Sequence, residues 1–139
     1  MSFFRVFDVS ASAMNAQQVR LNTTASNLAN AESISSSVGE TYRARKPVFA
    51  AEFNRANVDL AASTEVNVAG IVESDAPLRR EYYPDHPMAD EEGYIYKPNV
   101  NVMEEMADMI SASRSYQTNV QVAEAAKTML NSALKLGKG

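Results

Sequence analysis

The segment from Asn99 to Lys135 constrains this chain most, because no glycine or proline occurs before Gly137 and its apolar residues recur with a heptad rhythm. Val102, Met106, Met109, Ser113, Tyr116, Val120, Ala123, Lys127, Leu130 and Leu134 fall at alternating spacings of four and three, and only Ser113 and Lys127 interrupt the line. The pattern predicts one helix of roughly 35 residues, about 50 Å long at a rise of 1.5 Å per residue. Its ends are marked too. Pro98 stops what precedes, Asn101 is placed to accept from the first free N–H groups, and Glu104 completes an approximate capping box. Glu104, Glu105 and Asp108 lie near the positive start of the helix, Lys135 and Lys138 near its negative end, and Gly137 offers a left-handed stop.

A second periodic stretch opens the chain. Phe4, Phe7, Ala11, Met14, Gln18, Leu21, Ala25 and Leu28 repeat the threes and fours, so residues 3–30 are expected to form another amphipathic helix. The fold class that follows is mainly α with a small β-rich insert, the long N- and C-terminal helices pairing as an α-helical coiled coil. The expected division is an N-terminal helix in 1–31, a serine-rich loop and insert in 32–98, and a C-terminal helix in 99–139.

Within the insert, the serines between Asn30 and Glu40 compete for backbone hydrogen bonds and predict a loop whose small side chains anchor nothing. Tyr42 to Phe53 is β-like around Pro47-Val-Phe49, and Glu65 to Val72 alternates as a strand with Gly70 a candidate bulge. Arg55 to Thr64 reads as the connection. Leu78 to Tyr83 and Tyr94 to Tyr96 flank Pro84-Asp-His-Pro87 and Glu92-Gly93, which supply turn chemistry at both ends.

Composition narrows the function classes. The apolar fraction is 45%, much of it alanine, which favours helix but buries little area; long helices built this way gain stability from packing against one another or against other chains. A net charge of −4, with no basic cluster beyond Arg43-Ala-Arg-Lys46, argues against nucleic acid as the partner. The lack of cysteine excludes a disulfide framework and a thiolate zinc site. No apolar run approaches the ~20 residues of a membrane span, and Met1-Ser-Phe-Phe-Arg5 does not read as a secretory signal peptide.

Few residues carry chemistry. His86 is the single histidine, set beside Asp85, Asp90, Glu91 and Glu92; one imidazole without a second nitrogen or sulfur ligand makes a poor transition-metal site, and a solvated turn is the expectation. Phosphate loops and nucleophile elbows are missing, so no catalytic, cofactor or metal residue is assigned. Met103, Met106 and Met109 form either an adaptable binding face or, as expected here, core filling along the seam. Tyr82, Tyr83, Tyr94 and Tyr96 suit cross-strand packing better than stacking on a base or sugar. Arg114 lies among Ser111, Ser113 and Ser115, which let another helix approach closely. Its guanidinium either bonds a neighbour's carbonyls or carboxylate or stands as an exposed helix charge.

Leu21-Asn-Thr-Thr-Ala-Ser-Asn27-Leu28-Ala29-Asn30 closely resembles the N-terminal motif of the bacterial flagellar rod and hook proteins, centred on Asn-Leu-Ala-Asn. Glu105-Met106, followed by Met109-Ile-Ser-Ala-Ser-Arg114-Ser-Tyr116-Gln-Thr-Asn119, is similar to the C-terminal motif of that family. Tyr83-Pro-Asp-His-Pro-Met-Ala-Asp90 and Gly93-Tyr-Ile-Tyr-Lys-Pro-Asn-Val100 resemble a segment peculiar to one proximal-rod type within it. The chain departs from the family where a Thr-x-Gly-Tyr turn commonly follows the first motif; here Ala31-Glu-Ser33-Ile34 leads into the serine loop.

The resemblance implies a non-enzymatic building block of the flagellar rod, exported by the flagellar type III apparatus without a cleaved signal peptide and assembled in the periplasm. Its implied partners are copies of itself, other rod proteins and the export apparatus. Leu21, Asn27, Leu28, Asn30, Met106, Met109, Arg114, Tyr116, Asn119 and Val120 are the implied assembly residues, and Pro84, His86, Pro87, Gly93 and Pro98 belong to the subunit-specific segment. The alternatives are another axial subunit of the family or a soluble coiled-coil export adaptor or chaperone, although an adaptor has no use for paired terminal motifs.

Overall fold

A computed structural model describes residues 3–52 and 64–137. Six elements follow in order: α1 (Phe3–Asn30), β1 (Arg45–Glu52), β2 (Glu65–Glu73), β3 (Arg79–Tyr82), β4 (Tyr94–Lys97) and α2 (Val102–Leu136). Two long helices thus bracket a β-containing insert, as the periodicity predicts. The connection expected at Arg55 to Thr64 lies outside the described residues except for Thr64 itself.

The start of α2 forms as its sequence dictates. Asn101 is extended, at φ −97° and ψ 105°, and its side chain accepts from the Met103 N–H. Glu104 makes no return bond among the described residues, so the cap is one-sided. Gly137 corrects an expectation: its φ is −75°, and its N–H bonds to the Ala133 carbonyl at 3.1 Å, so the glycine continues the helical course instead of reversing it.

The helices run antiparallel. Ala31, just past α1, packs with Val100, just before α2, in a small cluster with Ala44 and Tyr42. Further along the pair, Arg20 reaches Asp108 at 2.6 Å. The contact line differs from the one the apolar spacing predicts. On α1 the buried residues are Ser10, Ala16, Thr23, Thr24 and Asn27, while Phe4, Ala11, Gln18 and Ala25 of the expected seam are exposed. Small side chains let the helix axes approach, and a hydroxyl need not be orphaned by burial: Thr23 Oγ1 donates to the Val19 carbonyl one turn back at 2.8 Å.

On α2 the buried residues are Glu105, Ala112 and Ala126, joined by half-buried Met109, Tyr116, Asn119, Ala123 and Leu130. This line keeps the four-three rhythm and four of the ten expected members, Met109, Tyr116, Ala123 and Leu130. Four others move back by one residue, so Ala112 and Ala126 replace the two interruptions, Ser113 and Lys127, while Val102 and Leu134 are exposed. Of the three clustered methionines only Met109 fills space between the helices; Met103 and Met106 are exposed.

The insert holds two separate antiparallel pairs, β1 with β2 and β3 with β4. In the first, Val48 opposes Gly70 and Phe49 opposes Val68, which leaves Ala69 as the extra residue beside the glycine named as a candidate bulge. This ribbon lies against α1, where Ser12 Oγ accepts from the Val66 N–H at 3.2 Å. The second pair gains a third partner. Ser35 exchanges two backbone hydrogen bonds of 3.0 Å with Tyr96, and both Ser35 and Thr41 are buried. The serine loop therefore anchors to β4, contrary to the expectation that it anchors nothing: backbone pairing supplies what its small side chains lack.

Candidate assembly surface

A dense polar site lies where α1 ends and α2 begins. Asn27, 1% exposed, places its amide against the backbone of Arg45: Nδ2 donates to the Arg45 carbonyl at 2.8 Å, and Oδ1 accepts from the Arg45 N–H at 2.9 Å. Tyr42 donates its hydroxyl to the same Oδ1 at 2.9 Å and also meets Ser26 Oγ at 3.1 Å. A helical side chain thus imitates a β-strand neighbour. One residue earlier, the Ala44 N–H donates to Asn99 Oδ1 at 2.8 Å, while Asn99 Nδ2 donates to the carbonyls of Ser74 at 3.2 Å and Ala76 at 2.8 Å. Arg79 closes the junction by donating to the Pro98 and Ala31 carbonyls at 3.1 and 3.2 Å. Pro98 is fully buried there.

Of these residues, Asn27 and Pro98 were singled out from sequence. Tyr42, Asn99 and Arg79 were not. The Pro-Asn pair before a helix is a signal for Asn99, but Asn101 is the stronger cap and takes that role.

The turn between β3 and β4 is built around Asp90. Its Oδ1 accepts from the N–H groups of Tyr94 at 2.8 Å and Glu92 at 3.0 Å, and Tyr96 donates its hydroxyl to Oδ2 at 3.4 Å. The Tyr94 N–H bond is the main reason the carboxyl is held below its ordinary value of 3.8. Gly93 is buried with φ 82°, and a Cβ there would meet the Tyr82 ring at 3.0 Å and Pro84 Cβ at 3.1 Å. Only glycine fits.

His86 Nδ1 accepts from the Met88 N–H at 3.1 Å, so the imidazole serves the turn; no group of three His, Cys, Asp or Glu able to hold a metal occurs among the described residues. Tyr82 packs edge-on against Tyr94 with centroids 5.1 Å apart, and the Arg80 guanidinium lies 3.7 Å from the Tyr94 centroid. Tyr82 and Tyr94 thus pack across the strands as expected, whereas Tyr83 lies beyond β3 with its ring 5.7 Å from that of His86. Pro84 and Pro87 are exposed.

The remaining candidates spread along the helices. Leu21 and Leu28 are half-buried, and Asn30 Nδ2 donates to the Ser26 carbonyl at 2.8 Å. Tyr116, Asn119 and Val120 are half-buried, with Asn119 Nδ2 on the Ser115 carbonyl at 2.8 Å. Arg114 is exposed and has no ion pair or side-chain bond among the described residues. Around it, α2 presents bare apolar side chains: Met103 is 75% exposed, Ile110 53% and Leu136 83%, with Met106, Val122, Met129 and Leu134 also open. So many large exposed apolar groups on one rod mark a surface made for other protein.

The two terminal helices, joined to the insert by a polar junction, match models of flagellar basal-body rod proteins. Family models place the two ends in that class: one described as flagella basal body rod protein matches residues 7–32, and one described as flagellar basal body rod FlgEFG protein C-terminal matches residues 91–136. The chain is 46% identical to the flagellar basal-body rod protein FlgC of Escherichia coli O6:H1 over 99% of its own length and all of that relative's. The same protein of Salmonella typhimurium is 44% identical over 99% of this chain and 100% of the relative, and that of Borreliella burgdorferi 34% over 100% of both. This chain belongs to the FlgC family of flagellar basal-body rod proteins.

Proposed function

We propose that this subunit enters the rod through the open face of α2 and the outer line of α1, which pair with helices of neighbouring copies and of other rod proteins. The chain is a structural subunit of the flagellar basal-body rod, a member of a family that is not enzymatic. The observation that carries the assembly reading is the exposed apolar line Met103, Met106 and Ile110, with Met129, Leu134 and Leu136 also exposed towards the other end of α2. A helix this bare is stabilised by covering it. A head-to-tail contact between unlike faces whose rotation does not close into a ring propagates along a helical shaft.

In this reading α1 and α2 pair as a coiled coil. The four-three spacing from Glu105 through Leu130 supports it. Residues 1–31 and 99–139 form the shaft-building units, and 32–98 form the insert. Leu21, Leu28, Met106, Arg114 and Val120 face neighbours, whereas Asn27, Asn30, Met109, Tyr116 and Asn119 hold the subunit in the shape that presents them. Pro84, His86, Pro87, Gly93 and Pro98 shape the segment that distinguishes this rod position. Export by the flagellar type III apparatus without a cleaved leader, and assembly in the periplasm, are supported by likeness to the family alone.

The test is Met106→Asp with Ile110→Asp in a strain lacking the native chain. A carboxylate buried without a partner costs several kcal/mol at every repeated contact, so secretion should persist while completed rods and swimming are lost. Normal rods from that variant would remove α2 from the interface.

A further inference from the structure

Two charge clusters of the insert have no part in the helix contacts: the basic run Arg43-Ala-Arg-Lys46 and the acidic turn from Asp85 to Glu92. Each lies beside uncovered apolar side chains. The register of β1 with β2 puts Lys46, Val48 and Ala50 on one face of that ribbon together with Val72, Gly70 and Asn67. Five of these six are exposed, and a Cβ built at Gly70 would meet no atom within 4 Å, so the face is flat and open. Half-buried Val66 and Val68 belong to the opposite face. Lys46 is the one charge among the six, and it has no ion pair among the described residues. The β3–β4 turn has the complementary character. Tyr82 is 62% exposed, Tyr83 53% and Met88 41%, with Pro84 and Pro87 open beside them. No lysine or arginine occurs between Glu81 and Tyr96. Asp90 serves the turn and Glu92 pairs with Arg80, which leaves exposed Asp85 and Glu91 without an ion pair among the described residues. Asp90 and Gly93 fix the backbone of this tip, so little entropy is lost when it is buried, and tyrosine adds a large, stiff contact area.

We propose that the β3–β4 turn of one copy of this chain docks on the outward face of the β1–β2 ribbon of the next copy. The tyrosines lie on the surface made by Val48, Gly70 and Val72, and Lys46 meets Asp85 and Glu91. This rests on the rod-assembly reading above and adds a contact between inserts to those between helices. The two strand pairs of one chain do not touch, so only another chain can bring these surfaces together. Apolar area then covers apolar area, and an unpaired cation meets unpaired carboxylates, the complementarity that fixes register and rejects wrong partners. Two such turns set against each other would instead oppose carboxylate to carboxylate. Because the paired surfaces are unlike, every copy that has given its turn to one neighbour still offers its ribbon to another.

The chain has no cysteine, so introduced thiols report alone. Ala50→Cys on the ribbon face and Ala89→Cys beside Met88, combined in a strain lacking the native chain, should give chain-to-chain adducts when isolated basal bodies meet a short thiol cross-linker. Each single variant should give none. Adding Lys46→Glu should lower the adduct yield about tenfold by setting like charges together, and adding Asp85→Lys with Glu91→Lys should do the same. All three together exchange the charges and should restore the yield. Gly70→Leu has room within its own chain, so the urea midpoint of the purified subunit should hold while the adduct is lost. Swimming of strains without the thiols should fall with Lys46→Glu and recover in the triple exchange. Normal rods without the adduct, an adduct from a single variant or with a different rod protein, an unchanged yield with Lys46→Glu or Gly70→Leu, or an exchange that restores neither yield nor swimming would each overturn the docking while the rod role stands. Failure of the rod role itself would appear separately, as normal rods in cells without this chain.

Discussion

Asn27 and Asn99 hold consecutive peptide groups of one strand entrance: Asn27 Oδ1 accepts from the Arg45 N–H at 2.9 Å, and Asn99 Oδ1 from the Ala44 N–H at 2.8 Å. One amide comes from the last turn of α1, the other from the residues leading into α2. The strand that begins the insert is thus tied to both helices at a single point. Such a junction fixes the angle between the helices and the insert without needing a large apolar core.

Asn27 should tolerate little. Asn27→Asp keeps an acceptor but loses the donor to the Arg45 carbonyl and brings a buried charge, whereas Asn27→Ala leaves the Arg45 N–H and C=O unpaired. Each buried group left without a partner costs about 1–3 kcal/mol. Urea unfolding of the purified subunit should show both variants destabilised, the aspartate at neutral pH at least as much as the alanine. A midpoint unchanged in Asn27→Ala would show that the junction contributes nothing to stability.

Gly93→Ala should distort the β3–β4 turn, because φ 82° disfavours any side chain and the new Cβ would press on Tyr82 and Pro84. The conformational part alone is about 1–2 kcal/mol. Faster proteolytic cleavage between Tyr82 and Tyr94, with the helices unaffected, is the expected result; native protection would contradict the steric reading.

Acid should loosen the same turn before it affects the helices. Asp90's folded-state carboxyl lies below its ordinary 3.8, chiefly through the Tyr94 N–H, so its contribution is fully present above that value and is lost as pH falls through the lower, folded one. Tyrosine fluorescence followed from pH 6 to pH 2 should report that loss. In Asp90→Asn this component should be absent, and an identical acid transition there would assign it to another group.

Replacing residues 82–98 with the matching segment of another rod protein should abolish correct placement, because this rigid turn carries contacts or clashes that tell one neighbour from another. His86→Gln should be mild. The Pro84→Gly, Pro87→Gly pair should impair assembly by freeing the turn. A chimera that builds normal rods in the absence of the native chain would move identity to the helices.

The helices, the four strands and the Asn101 cap were all legible in the residue pattern, since each depends on neighbours a few positions away. Met109, Tyr116, Ala123 and Leu130, half-buried in the structure, were legible as the covered side of α2 for the same reason. The choice between Ala112 and Ser113, or Ala126 and Lys127, was not: adjacent positions differ by about 100° on a helix, and only the partner decides which faces inward. On α1 the residues buried are small or hydroxyl-bearing, Ser10, Ala16, Thr23 and Thr24, and not the bulkier apolar ones beside them. Ser35 pairs with Tyr96 through backbone groups that every residue carries, so no side-chain signal announces it. Asn27 stood out as a motif residue by itself; that it imitates a strand neighbour for Arg45, 18 positions away, follows only once α1 and β1 are packed together, because a buried peptide group must find a partner wherever the fold places one.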